Sequence, residues 1–291
     1  MGFDRLALLV LTALIHALWN FISKKGLDKQ VFLWMMMVAT SVLFLIPVLV
    51  LHESFPAEGW VYIILSGSVT VLYVMLLGGA YQNGDLSAVY PVARGTAPVW
   101  TTLIAFVLLG EAIPPIGLAG IALVAVGVFI SQLRPRPKEA TVTVLTDFLP
   151  SLRGKAFWLS IFTGLSIAAY SVVDRVGVRY VPPVTYLYLV FLVAGVLLAP
   201  YMLRARGRQV AEEWRAHKLQ VAAVAVMSMT AYVMVLYVMR TTMVGYVSAV
   251  RESSVIFAAL LGTLALRESF GGQKVLGSVV IFAGVILIAL A

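Results

Sequence analysis

Residues 93–125 read ARGTAPVWTTLIAFVLLGEAIPPIGLAGIALVA, and residues 250–282 read VRESSVIFAALLGTLALRESFGGQKVLGSVVIF. Aligned without a gap, they pair Arg94 with Arg251, Glu111 with Glu268 and Gly120 with Gly277, and one step further Gly127 meets Gly284. Each copy sets an arginine inside an apolar run. Nearer the front of each half a slightly shorter offset pairs Trp19-Asn20 with Tyr170-Ser171, Lys24 with Arg175 and Gly26 with Gly177. The chain reads as two related halves.

Its composition points to a bilayer. Of 291 residues, 62% are hydrophobic and 12% charged, and the mean hydropathy is +1.00, whereas soluble domains carry about 25% charged residues. A membrane helix needs about 20 mostly apolar residues. Ten runs approach that length: 5–24, 31–51, 60–82, 86–109, 113–132, 155–174, 183–203, 219–239, 244–266 and 273–290. Turn residues such as Asn83-Gly84-Asp85, Pro114-Pro115 and Pro182-Pro183 separate them. The run beginning at Leu6 is followed by Ser23-Lys24-Lys25 and not by a small-residue cleavage site, so it reads as a retained span.

The expected fold class is therefore an all-α integral membrane protein of ten transmembrane helices. The expected division is a first repeat at 1–137, a Pro- and Thr-containing linker at 138–154 and a second repeat at 155–291. With five helices per half, the two copies cross the membrane in opposite directions, the inverted repeat found in many secondary transporters. Lys and Arg outside the helices gather in the odd-numbered loops, which by the positive-inside rule places both termini outside.

The net charge of +8 belongs to short loops facing lipid headgroups, and no basic, aromatic-interleaved face suggests nucleic acid. There is no cysteine, and His16, His52 and His217 are scattered. Phosphate-binding glycine patterns and carboxylate or histidine sets with metal-ligand spacing are also lacking in the sequence, so no cofactor, metal or enzymatic chemistry is expected.

The stretch AYQNGDLSAVYPVARGTAPVWTTLIAFVLLGEAIPPIGLAGIALVAVGVFIS, residues 80–131, resembles the EamA half of the drug/metabolite transporter superfamily. YVSAVRESSVIFAALLGTLALRESFGGQKVLGSVVIFAGVILI is similar, with Arg267-Glu268 in place of the Gly-Glu pair and Ser248 where Pro91 stands. The opening HALWNFISKKG fits the first helix of that family, and the resemblance spans essentially the whole chain. It implies a multi-pass transporter of the bacterial inner membrane, closest to the ten-helix amino-acid and metabolite exporter branch that includes aromatic amino-acid exporters. It also implies alternating access, with helices one, three, four, six, eight and nine around a cavity and five and ten packing or facing a dimer partner. Sugar, nucleoside or drug transport, or a membrane subunit without transport, are the competing readings. Uniport and proton coupling through Glu252 or His16 both stay open, as do monomer and homodimer.

Arg94 and Arg251 lead the candidate substrate-binding residues, because a charge at the centre of a membrane helix costs at least about 2.5–3.5 kcal/mol and marks function by default. Snorkelling to an interface is the structural alternative. Pro91, Gly95 and Pro98 are expected to weaken the helix around Arg94. Glu252 reads as the one acid well inside a predicted helix, neutralising Arg251 or holding a substrate amino group. A polar stripe in the first helix, Thr12, His16, Trp19, Asn20 and Ser23, matches one in the sixth, Ser160, Gly164, Tyr170, Ser171 and Asp174. Such a stripe either lines a cavity or binds neighbouring helices. His16, Trp19, Asn20, Tyr170 and Ser171 are counted as site residues from these stripes.

Tyr73, Tyr90 and Tyr232 join them as ring walls for apolar or aromatic substrate groups. Tyr62, Tyr81, Tyr186 and Tyr201, near helix ends, read as interfacial aromatics. Gly120, Gly127, Gly277 and Gly284 are expected to let helices approach closely. Glu111 and Glu268 end their helices beside turns, where Arg267 or Lys274 would be their partners.

Overall fold

In the computed structural model, the residues described are 1–23, 25–51, 53–83, 86–132, 154–266 and 272–291; within them the side chains of 86–88, 90, 91, 132 and 262–266 are not described. Every regular element in these residues is helical. The helices are α1 (Phe3–Ser23), α2 (Lys29–Leu43), α3 (Leu45–Leu51), α4 (Gly59–Asn83), α5 (Leu86–Leu109), α6 (Pro115–Gln132), α7 (Lys155–Tyr180), α8 (Pro183–Ala205), α9 (Gly207–Met239), α10 (Val244–Arg251), α11 (Ser254–Leu266) and α12 (Gly272–Leu290).

Among the described residues eight helical stretches are long and apolar enough to cross a membrane, and the bent α2–α3 pair makes nine. The segment expected to be the fifth span is helical but its apolar part, Pro115–Ser131, is shorter. The expected inter-repeat linker at 138–154 lies outside the described residues except for Gly154.

Four of the expected spans differ in the structure. The run 31–51 bends by 46° between α2 and α3, where the Pro47 ring has no N–H to give and crowds the carbonyl of Leu43. The run 155–174 continues to Tyr180, which puts Asp174 inside a helix. The run 219–239 starts at Gly207 and passes through a non-helical His217. The run 244–266 is broken at Glu252-Ser253, while α5, with Pro98 and Gly95, stays continuous, contrary to expectation. α7 packs closely on α5 there: a Cβ on Gly164 of α7 would stand 2.8 Å from the Ala93 carbonyl.

Packing follows a reciprocal pattern. α1 packs on α9 and on α10–α11, and its sequence counterpart α7 packs on α4 and α5. α2 and α8 touch each other, and each also contacts the long helix of the opposite half, α9 and α4 respectively. α6 and α12 form the tightest pair. There a Cβ on Gly120 would meet the Gly284 carbonyl at 2.8 Å, one on Gly284 the Gly120 carbonyl at 2.6 Å, and one on Gly127 the Gly277 carbonyl at 2.9 Å. Only hydrogen fits between these backbones, the general route to close helix packing in lipid.

Candidate functional site

Where α1, α2, α4, α5, α7, α8, α9 and α10 converge they leave a cavity of about 110 Å³, room for several waters at roughly 10–15 Å³ each. α1 contributes Thr12, His16 and Trp19; α4 contributes Ser66, Thr70 and Tyr73; Arg94 comes from α5 and Arg251 from the end of α10. Tyr170 and Asp174 of α7 and Ser228 and Tyr232 of α9 face them. One wall is apolar, with Leu33, Met36 and Met37 of α2 and Leu187, Val190 and Phe191 of α8. The second and seventh expected helices therefore also line the cavity, beyond the six anticipated.

Two arginines and two carboxylates sit at this centre, and they are not equivalent. Arg94 Nε binds Glu252 Oε2 at 3.1 Å, with side-chain exposures of 11% and 4%. Arg94 Nη2 lies 3.3 Å from His16 Nε2. Arginine only donates, so His16 Nε2 accepts and its proton is assigned to Nδ1. The His16 ring meets Trp19 edge-on at 4.7 Å. Glu252 is thus the partner of Arg94, across the bundle, and not of its neighbour Arg251.

Asp174 Oδ1 accepts from Ser66 Oγ at 2.5 Å and from Tyr186 Oη at 2.9 Å, and Oδ2 accepts from Tyr232 Oη at 2.6 Å. Arg251 lies with its guanidinium carbon 4.9 Å from the centroid of the same Tyr232 ring, the attractive arrangement of a cation on a π face. Among the described residues neither Asp174 nor Arg251 has an ion-pair partner. Tyr232 therefore separates an acid at its hydroxyl from a cation at its face. Tyr170 stands edge-on to Tyr232 at 6.4 Å and to Tyr73 at 6.0 Å, which continues the aromatic wall.

The break in the ninth expected span lies beside these charges. Glu252 N returns to Ala249 O, Ser253 N to Val250 O, Val255 N to Glu252 O and Ile256 N to Ser253 O, the short-range bonding of a 3₁₀ turn. Ser253 Oγ also bonds Val250 O at 2.7 Å. A hydroxyl competing for backbone carbonyls loosens a helix, and a mid-span 3₁₀ turn is a common hinge geometry.

The residues anticipated from sequence divide as follows. His16, Trp19, Tyr73, Arg94, Tyr170, Tyr232 and Arg251 line the cavity, and Glu252 lies behind Arg94. Asn20 Nδ2 donates to His16 O and Ser171 Oγ to Ile167 O, so both satisfy their own helices. The Tyr90 side chain lies outside the described residues. Asp174, Ser66, Thr70 and the apolar wall are additions. Tyr186, expected at the interface, is instead fully buried on Asp174. Among the described residues Glu111 pairs with Arg175 and not with Lys274; Glu268 and Arg267 lie outside the described residues.

A helical bundle with interlocked halves, a broken span at its centre and a cavity lined by buried charges defines a multi-pass membrane protein. The chain belongs to the EamA-like transporter family, whose model matches residues 5–133 and again 154–290. It is accordingly a small-molecule transporter. A solved structure described as "Crystal structure of protein" superposes with a TM-score of 0.72 over 98% of this chain and 95% of that one, at 15% identity, a likeness of fold. No curated protein matches the sequence. Among the described residues no group of three or more His, Cys, Asp or Glu is placed to hold a metal ion.

Proposed function

We propose that the protein exports amino acids with apolar or aromatic side chains across the bacterial inner membrane by alternating access between two inverted repeats, residues 1–137 and 155–291. The observation that carries this reading is the divided charge around Tyr232. Arg251 has donors uncommitted to any described residue, and the Asp174 carboxylate, with about four lone-pair sites, spends three on hydroxyls. A zwitterion supplies what both lack: its carboxylate meets Arg251, with two oxygens for the planar fork, and its ammonium meets Asp174 Oδ2. Arg94, already engaged by Glu252 and His16, is the weaker candidate for the carboxylate.

The substrate side chain then lies against Met36, Met37 and Phe191. Methionine and aromatic walls adapt to several apolar shapes, so one site would serve several amino acids. The 3₁₀ turn at Glu252-Ser253 supplies the hinge. Uptake of labelled leucine, methionine and phenylalanine into liposomes holding the purified protein tests the reading. Saturable uptake whose KM rises by roughly tenfold or more in Arg251→Gln and in Asp174→Asn, with both variants still folded, is expected; uptake unchanged in both overturns it.

A further inference from the structure

A short helix, α10, runs from one end of the bundle to the cavity. α5 closes at Gly110, whose φ of +67° only glycine adopts without strain, and Glu111 N returns to Ala105 O at 3.3 Å. That turn aims the Glu111 side chain across the bundle. Its Oε2 accepts Val244 N, the first N–H of α10, at 2.8 Å, and its Oε1 accepts Arg175 Nε of α7 at 3.1 Å. A carboxylate on a helix N-terminus is favoured both by the open N–H groups and by the helix dipole.

α10 itself is a stiff element. Its residues Val244 to Val250 are all buried, its first N–H is held by Glu111, and its last residue is Arg251 in the cavity. Beyond Arg251 comes the 3₁₀ turn at Glu252-Ser253. The helix therefore runs from a charged latch at the bundle end to a hinge at the centre, with Arg251 at the hinge. Arg175 Nη1, Thr242 Oγ1 and Tyr246 Oη are buried near the latch and have no hydrogen-bond partner among the described residues.

The geometry points to Glu111 as a positioning residue that latches α10: while it holds Val244 and Arg175 together the Glu111 end is closed over the cavity, and its release lets α10 swing about Glu252-Ser253 and carries Arg251 toward that end. This inference rests on the alternating-access part of the proposed function but not on the substrate.

The chain has no native cysteine, so single-cysteine labelling needs no background removal. Thr70→Cys reports the cavity, and Ala57→Cys, exposed in the α3–α4 connection at the Glu111 end, reports which membrane face that end occupies. A membrane-impermeant maleimide is applied from either face without substrate. With Glu111→Ala, labelling of the Thr70→Cys cavity reporter from the Glu111 face should rise by roughly tenfold, the scale of one charged hydrogen bond, and labelling from the opposite face should fall. Glu111→Gln, which keeps an acceptor for Val244 but loses the ion pair, should give a smaller shift in the same direction. Unchanged labelling from both faces, or an equal rise from both, overturns the latch; the first means that Glu111 holds nothing closed, the second that its loss only loosens the fold. Failure of amino-acid uptake in the parent protein would count against the substrate reading and leave this result intact.

Discussion

The Tyr232 hydroxyl donates to Asp174 Oδ2 at 2.6 Å while Arg251 lies over the ring of the same tyrosine. One aromatic side chain thus contacts two opposite charges, the acid at its hydroxyl and the cation at its face. Arg94 and Glu252 show the alternative outcome, a closed pair at 3.1 Å. In the function proposed above, the open pair is the one that meets the solute.

Arg251→Gln should raise the KM for amino-acid uptake by roughly 10- to 150-fold, because a hydrogen bond to a charged group contributes about 1.5–3 kcal/mol and each 1.4 kcal/mol is tenfold. Arg251→Lys should recover only part of this, since a point charge cannot reproduce the planar fork. Initial-rate uptake over a substrate series gives both numbers, and equal KM values for Lys, Gln and the parent would remove Arg251 from the site.

Tyr232→Phe keeps the ring beneath Arg251 and removes the donor to Asp174. The Asp174 carboxylate then loses one of its three hydroxyl partners, and binding should weaken by about tenfold, near the net value of one strong hydrogen bond. Tyr232→Leu, which removes ring and hydroxyl together, should weaken it further. Isothermal binding of one transported amino acid distinguishes them; a Phe variant as poor as Leu would mean that the ring contributes nothing.

Breaking the buried Arg94–Glu252 pair from one side leaves an uncompensated charge, which costs about 3–5 kcal/mol. Glu252→Leu alone should therefore lower the melting temperature in detergent, and Arg94→Met combined with Glu252→Leu should restore much of it. A double variant no more stable than the single one would show that the pair is not what destabilises it.

The α6–α12 contact predicts a separate, purely mechanical effect. A Cβ on Gly277 would stand 2.5 Å from the Ser131 backbone nitrogen, and Gly277→Leu has nowhere to place its side chain. The melting temperature should fall while the KM of the surviving folded fraction stays near the parent value. Thermal unfolding and uptake on the same preparations check this, and a stable Gly277→Leu would contradict the packing described.

Much of this arrangement was legible in the sequence because membrane helices and inverted copies leave simple marks. The glycines of α6 and α12 recur at the same spacing in both halves, and each intramembrane charge has to be near a partner or water. Asp174 was hard to value because Arg175 and Arg179 follow it, so the apolar run ends there although the helix continues to Tyr180. Tyr186 beside Pro182-Pro183 resembled an interfacial aromatic; its burial depends on Asp174 arriving from another helix. The walls of α2 and α8 carried no polar flag, since a cavity-facing Met looks like a lipid-facing one. The bend at Pro47 follows from local chemistry, but the break at Glu252-Ser253 has no proline or glycine. Its local trace is the Ser253 hydroxyl on Val250 O, a bond that serine makes in unbroken helices as well; the pairing of Glu252 with Arg94 across the bundle has no local pattern.

The most direct test of the divided-charge site is competition. Uptake of a labelled transported amino acid such as leucine is measured against excess unlabelled leucine, leucinamide, which lacks the carboxylate, and 4-methylpentanoate, which lacks the ammonium group. Inhibition by leucine alone is the predicted result, because only the intact zwitterion meets Arg251 and Asp174 together. Equal inhibition by all three would mean that the site reads the apolar side chain and not the charges, and would contradict the account.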